Sequence, residues 1–200
     1  MRDFLFGALL CGISLGATAP SFATGCEFEL RGEGFVSAVI DARTFRLDDG
    51  RDVRLAGVEM TPEESADHRP TIAELIGRHV ILRGESGDPD RYGRQSAFVF
   101  LDPSAAPVQS ELLTRGEALV STDVVDKGCA VELVAAEATA RQARRGAWAN
   151  SSVIKNADNP DDILTRIGKF AVVEGRILSV RQAGGTIYTQ FTSQPEDPWG

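Results

Sequence analysis

The feature that most constrains the fold lies between residues 34 and 58, where polar and apolar side chains alternate in short runs. A period of two is typical of strands that bury one face of a sheet. Asp49-Gly50 stands between two of the runs and is typical of a tight hairpin turn. We therefore predict three consecutive antiparallel strands, at residues 34–40, 44–47 and 51–58.

Further strands and helices are predicted between residues 61 and 150. Thr61-Pro62 supplies an N-cap residue and a first-turn proline, which predicts the start of a helix. Two apolar runs rich in β-formers, 79–83 and 96–101, predict a fourth and a fifth strand.

Two longer helices complete the predicted main domain. The segment 108–115 predicts a helix that Gly116 ends, and the Ala- and Glu-rich segment 130–145 predicts a helix that Gly146 ends. In the second helix, helical spacing predicts a core-facing side made of Val131, Val134, Ala135 and Ala138. The fold class is therefore mainly β with α: a five-stranded OB-fold barrel with flanking helices, plus a short C-terminal β segment.

The first 23 residues predict a signal peptide. Arg2 precedes an apolar run, and Ser21-Phe22-Ala23 supplies a small–x–small cleavage motif. Because the run is short for a membrane span, we expect cleavage near Ala23 and no stable membrane insertion afterwards. This predicts a secreted or periplasmic protein; an uncleaved anchor helix is the alternative.

Composition divides the remaining chain into three parts. We predict a main domain at residues 24–150 and a polar linker at 151–166, where Asn and Pro are frequent. Residues 167–200 predict a short β-rich segment with a turn at Gly184-Gly185. Two or three strands bury little surface alone, so we expect this segment to dock on the main domain, to pair with another chain, or to be a truncated module.

Export determines how the cysteines are interpreted. Cys11 leaves with the signal peptide, and Cys26 and Cys129 remain as an even pair in an oxidising compartment. A bridge between them would close a loop of about a hundred residues, which the chain-entropy model values at roughly 4–5 kcal/mol. Two free thiols are the alternative, and lipidation of Cys26 is disfavoured because the usual preceding Leu is absent.

The charge balance limits how the protein contacts nucleic acid. The formal net charge of -8 argues against a broad basic surface for non-specific binding. It leaves room for a local basic pocket, because a few arginines dominate the field within one cleft.

Two arginines and two acids lie where predicted strands end or alternate. Arg54 points away from its apolar neighbours, and Arg94 begins the fifth strand, while Asp41 and Glu59 lie near strand ends. Guanidinium groups clamp the equatorial oxygens of a phosphodiester transition state, and carboxylates hold a hard cation such as Ca²⁺. The set therefore predicts phosphodiester chemistry, with a further glutamate as general base.

Six motifs follow one another along the chain: Asp41-Ala42-Arg43-Thr44, then 54–63 from Arg54-Leu55 to Pro62-Glu63, Asp90-Arg91-Tyr92-Gly93-Arg94, Leu113-Thr114-Arg115-Gly116, Glu137-Ala138-Thr139-Ala140-Arg141 and Gly146-Ala147-Trp148. In this order they resemble the thermonuclease (staphylococcal-nuclease-like) family over residues 35–148. The exported N-terminus and an altered metal motif mark the resemblance as one to exported members with a degenerate metal site.

The resemblance implies a phosphodiester hydrolase acting on nucleic acid, DNA or RNA. It implies that Arg54 and Arg94 bind the phosphate, that Glu63 is the general base, and that Asp41 and Glu59 are ligands of Ca²⁺. Arg43 stands where the family has its first metal-ligating acid. A cation at that position opposes bound Ca²⁺ at short range.

Alternative roles remain for these residues. Arg54 and Arg94 are structural if they pair with Glu59 and Asp41, and Asp41 is a turn cap if its side chain bonds the local backbone. Glu63 is otherwise a first-turn acid. Tyr92 is interpreted as packing against the barrel rather than as a platform for stacked bases.

Three functional hypotheses follow from these residues. The first is a metal-dependent nuclease, and the second is a non-catalytic OB-fold binding module in the periplasm or outside the cell. The third is a slow phosphodiesterase in which Arg43 supplies the fixed positive charge of the metal.

Overall fold

The computed structural model describes residues 25–26, 28–60, 71–85, 87–102, 104, 106–149 and 153–191. The predicted signal peptide, the predicted helix start at Thr61 and the base candidate Glu63 lie outside these residues. The strands are β1 Leu30–Asp41, β2 Thr44–Leu47, β3 Asp52–Leu55, β4 Val58–Met60, β5 His79–Arg83, β6 Gln95–Leu101, β7 Ala118–Val120, β8 Ile154–Asn156, β9 Val172–Glu174, β10 Ser179–Ala183 and β11 Thr186–Gln190. The helices are α1 Val108–Arg115, α2 Lys127–Gln142 and α3 Pro160–Leu164, with 3-10 turns at Thr71–Leu75 and Gly146–Ala149.

Five strands form a sheet that closes on itself. Their order is β1-β2-β3-β6-β5, and β5 pairs back with β1. The β3–β6 pair is parallel and the other pairs are antiparallel. The described residues are thus mainly β with α, as the sequence predicts, although α3 lies in the segment predicted as a linker. The first three strands form the predicted antiparallel series.

The third predicted strand, 51–58, is in fact two strands. β3 ends at Leu55, and Gly57 turns the chain with a φ of 72°. A Cβ at Gly57 would lie 3.0 Å from side-chain atoms of Leu133 and Val124, so a glycine is needed for both conformation and space. β4 then pairs with β7 outside the closed sheet, so Glu59 does not share a sheet with Arg54.

The main core fills the closed sheet and continues beneath α1. α1 occupies the predicted residues, and Gly116 ends it in the left-handed conformation, as predicted. The largest side chains that are fully buried here are aliphatic and aromatic: Phe45, Leu47, Leu55, Ile72, Leu75, Leu82, Leu112, Leu113 and Leu133.

A disulfide joins Cys26 to Cys129, as the sequence predicts, and both residues are fully buried. Cys129 lies in the first turn of α2, where its N–H donates to the N-cap carboxylate of Asp126 at 2.8 Å. The bridge therefore turns the Cys129 side of α2 towards the core.

The predicted core face of α2 is wrong. Val131 and Val134 are 70% and 52% exposed, whereas Cys129, Leu133 and Ala140 are buried. Both sets of residues recur at helical spacing, so periodicity alone does not distinguish them. The disulfide decides between the two faces.

A second hydrophobic cluster joins the C-terminal segment to α2. Trp148 and Val153 pack with Ala140, and Phe170 contacts the same cluster. The predicted linker 151–166 contains β8 and α3, and β8 pairs in parallel with β9. Arg141 forms an ion pair with Glu174 of β9 and lies 5.0 Å from the centroid of the Trp148 ring.

The chain continues into a hairpin of β10 and β11, joined at the predicted Gly184-Gly185 turn. All ten of its strand residues are exposed. Over the described ranges, no helix has the length and apolar character needed to cross a membrane.

Glu137 on α2 provides a stability prediction with a defined pH dependence. Burial raises the pKa of Glu137. Two weaker effects oppose it: the Val120 N–H, which donates to Glu137 Oε1 at 2.8 Å, and the positive charge of Arg141. A carboxyl with a raised pKa in the folded state loses folding stability as pH rises through that pKa. Glu137→Gln keeps an oxygen acceptor, so we expect it to be more stable than the wild type at neutral pH. Urea unfolding should show this advantage shrinking as pH falls to about 4; an advantage that grows on acidification would contradict it.

Candidate functional site

Arg54 is the third residue of β3 and points away from the core. Val53 and Leu55 on either side are buried at 0% and 2% exposure, so the strand alternation directs Arg54 to the opposite face. Its cross-strand neighbours are Thr44 on β2 and Ser96 on β6. Among the residues that the structure describes, no carboxylate forms an ion pair with Arg54.

Arg94 is fixed by the turn that precedes β6. Oδ1 of Asp90 accepts the backbone N–H groups of Tyr92 and Arg94 at 2.8 and 3.0 Å. Oδ2 of the same carboxylate accepts Nε and Nη2 of Arg94 at 2.9 and 2.7 Å. One carboxylate thus shapes the turn and holds the guanidinium in place.

Several carboxylates contribute to the electrostatics around Arg94. The hydrogen bond from Arg94 lowers the pKa of Asp90, and the bond from Asp90, with the charge of Asp41, raises the pKa of Arg94. The pKa of Asp52 is lowered mainly by its hydrogen bond from Arg46, and also by the charge of Arg94. Arg94 is therefore charged at neutral pH, but Asp90 neutralises much of that charge locally.

Arg54 and Arg94 line one open cleft together with Asp90, Arg91 and Tyr92. Three guanidinium groups and one carboxylate make this lining positive within an acidic protein. Tyr92 is 65% exposed, and the guanidinium carbons of Arg91 and Arg94 lie 4.7 and 4.9 Å from the centroid of its ring. The interpretation of Tyr92 as a packing residue is wrong, because its ring faces the solvent of the cleft.

The pairs suggested for structural arginines are not the pairs that form. Glu59 is bound by Arg43, whose Nη1 lies 2.7 Å from Oε1, and not by Arg54. Asp41 accepts the backbone N–H of Arg43 at 2.9 Å, which is the turn-cap role. Arg94 is bound by Asp90 and feels Asp41 only through its charge.

The residues predicted to hold Ca²⁺ do not fit a divalent cation. Ca²⁺ takes six to eight oxygen ligands. Here the carboxylate of Glu59 forms an ion pair with the Arg43 guanidinium, and the carboxylate of Asp41 accepts a backbone N–H. Throughout the described ranges, no group of three or more His, Cys, Asp or Glu residues is arranged to hold a metal ion. The arrangement therefore provides a positive side chain where the family resemblance implies a metal.

Gln109 is a positioning residue that the sequence does not reveal. It is fully buried on α1, where its Oε1 accepts Val99 N–H at 3.2 Å. Its Nε2 donates to the carbonyls of Ala97 and Ala56 at 2.9 and 3.3 Å, which ties β6 to the residue after β3. The one signal in the sequence is a lone amide on the apolar face of a helix. Gln109 thus ties the middle of β6, the strand that follows Arg94, to the residue after β3, the strand that carries Arg54.

Comparison with known proteins supports the nuclease resemblance. Residues 52–150 match the family model described as staphylococcal nuclease homologue. The match runs from β3 through the 3-10 turn that contains Trp148, and so includes Arg54, Glu59, Arg94 and Gln109. A search of curated proteins finds no match. Residues 52–150, which include both cleft arginines, are thus similar to the staphylococcal nuclease homologue family.

Proposed function

We propose that the cleft of Arg54 and Arg94 binds single-stranded nucleic acid and hydrolyses its phosphodiesters. The observation that carries this proposal is that the two arginines, from different strands, line one open cleft in a domain similar to a nuclease family. The exposed Tyr92 ring, beside them, offers a surface on which a base stacks. The cleft thus presents charge for the phosphate and an aromatic face for the base.

The proposed chemistry assigns a task to each group. Arg54 and Arg94 bind the non-bridging oxygens, whose negative charge grows in the transition state. Water adds to phosphorus and gives its proton to a base, for which Glu63 is the candidate. The bond to the leaving oxygen then breaks, and that oxygen takes up a proton from solvent. Asp90 orients Arg94 throughout.

The second candidate function is a non-catalytic binding module. Two observations favour it: the carboxylate of Asp90 already accepts two hydrogen bonds from the Arg94 guanidinium, and Glu59 forms an ion pair with Arg43. A module of this kind would keep the affinity for oligonucleotides that Arg54, Arg91 and Tyr92 supply. It would lack cleavage.

We also propose the finer architecture and location. The closed sheet with its order β1-β2-β3-β6-β5 supports an OB-fold, and the fully buried Cys26–Cys129 bridge supports export to the periplasm or beyond. Removal of residues 1–23 on export is part of this proposal. N-terminal sequencing of protein recovered from outside the cytoplasm tests it, and a mature chain that starts at Met1 would contradict it.

The functional test uses mature protein and end-labelled single-stranded DNA and RNA, with and without a chelator. Fluorescence anisotropy measures binding, and denaturing gels measure cleavage. We expect both activities, and we expect both to fall in Arg54→Ala and Arg94→Ala. Binding without cleavage supports the module, and the absence of both in folded protein contradicts the proposed function.

A further inference from the structure

Arg43 is held in the turn between β1 and β2 by contacts of both its backbone and its guanidinium group. Its N–H donates to Asp41 Oδ1 at 2.9 Å, and its carbonyl accepts Leu55 N–H at 2.9 Å. Its Nη1 lies 2.7 Å from both the Val58 carbonyl and Glu59 Oε1. The side chain is 16% exposed, so the guanidinium is held in one place rather than free on the surface.

The turn that holds Arg43 leads directly into the strand that pairs with the strand of Arg54. Thr44, the next residue after Arg43, is the cross-strand partner of Arg54. Over the described residues, the Nε and Nη2 groups of Arg43 donate no hydrogen bond, so donor capacity remains on this guanidinium.

The same contacts exclude a metal ion from Glu59. A divalent cation bound to Glu59 would lie within a few ångströms of the Arg43 guanidinium, which already forms an ion pair with that carboxylate, and the two positive charges would repel each other. The turn cap also engages Asp41, the other carboxylate predicted as a ligand. Glu59 is neutralised by a side chain instead of by an ion.

We propose that Arg43 replaces a divalent cation at Glu59, so that the cleft binds its phosphate ligand without metal. The phosphate part of this inference rests on the proposed function. The replacement at Glu59 rests on the Arg43 contacts alone.

The test is a gain of Ca²⁺ binding, measured by isothermal titration calorimetry on the full mature chain. The wild type should bind no Ca²⁺ in the millimolar range. Arg43→Asp should bind it with a dissociation constant of about 10⁻⁴ to 10⁻³ M, the range of weak calcium modules. Glu59→Gln added to Arg43→Asp should abolish that binding. Arg78→Asp makes the same charge change at an exposed residue and should bind none.

Two results would overturn the inference: Ca²⁺ binding at Glu59 in the wild type, or no binding in Arg43→Asp that melts cooperatively. Should Arg43→Asp fail to fold, Arg43→Asn serves in its place. Ca²⁺ should then raise the melting temperature of Arg43→Asn and leave that of the wild type unchanged, and equal responses would overturn the inference.

A second measurement addresses the phosphate. Oligonucleotide affinity of the wild type should be the same in chelator and in Ca²⁺, and a chelator-sensitive affinity would contradict the metal-free cleft. If the wild type binds no oligonucleotide at all, the proposed function fails while the Ca²⁺ titration still decides what occupies Glu59.

Discussion

Replacing Arg54 by alanine is expected to slow phosphodiester cleavage by about 10²–10³-fold, the loss seen when one donor to a transition-state oxyanion is removed. The effect should be large because Arg54 lines the cleft and, in the described part of the chain, no carboxylate pairs with it. Single-turnover cleavage of a labelled oligonucleotide measures it. Anisotropy on the same samples separates lost binding from lost catalysis.

The matched control for this variant is Arg46→Ala. Arg46 lies on the neighbouring strand β2, and its guanidinium is exposed and bound to Asp52. The control removes one positive charge outside the cleft lining and releases Asp52, which interacts with Arg94 through charge alone, so cleavage should fall far less than in Arg54→Ala. Equal losses in Arg46→Ala and Arg54→Ala would mean that net charge, and not the cleft, carries binding.

Removing the disulfide is expected to have the largest effect on stability. Cys26 and Cys129 are 103 residues apart, and a bridge that closes a loop of this length contributes about 4–5 kcal/mol in the chain-entropy model. The double variant with serine at both positions should lose about this free energy of unfolding, measured with guanidinium chloride. The loss should include the contact of Gly25 with α2, where its N–H donates to Glu132 at 2.6 Å.

Reduction provides the control for the serine variant. A reductant should lower the unfolding midpoint of the wild type to nearly that of the variant and leave the variant itself unchanged. A wild-type midpoint that does not respond to complete reduction, verified by thiol titration, would contradict a stabilising bridge.

The strands of the closed sheet were predictable because each follows a local pattern. β2, β5 and α1 occupy the predicted residues, since alternation or capping is encoded within each segment. The split of the third strand was missed because alternation continues across Gly57, and the turn depends on Leu133 and Val124 from elsewhere in the chain. Local patterns predict the elements, but contacts between elements decide where they break.

The buried face of α2 was predicted wrongly although the helix and the disulfide were each predicted correctly, because the two predictions were not combined. The helix and the Cys26–Cys129 bridge are both predicted from sequence. Combining them would have placed Cys129 inwards, and Leu133 with it, one turn later on the same face. Periodicity alone favoured the more numerous set that contains Val131 and Val134, which are exposed.

The two arginines of the cleft were predictable from the sequence, but the partners of the candidate residues were not. The sequence places Arg54 and Arg94 on different strands, and the structure brings both to one cleft. The partner of Arg94, Asp90, lies four residues before it and depends on the geometry of a turn. The pairing of Glu59 with Arg43 depends on how β4 leaves the closed sheet, which no local pattern encodes.

Arginine Nε NMR during titration with a thymidine dinucleotide tests most directly whether Arg54 and Arg94 form one phosphate site. The Nε–H signals of both residues should shift along a single saturation curve, while that of Arg46 stays in place. Two curves with different affinities, or a shift confined to one of the two arginines, would contradict a shared site.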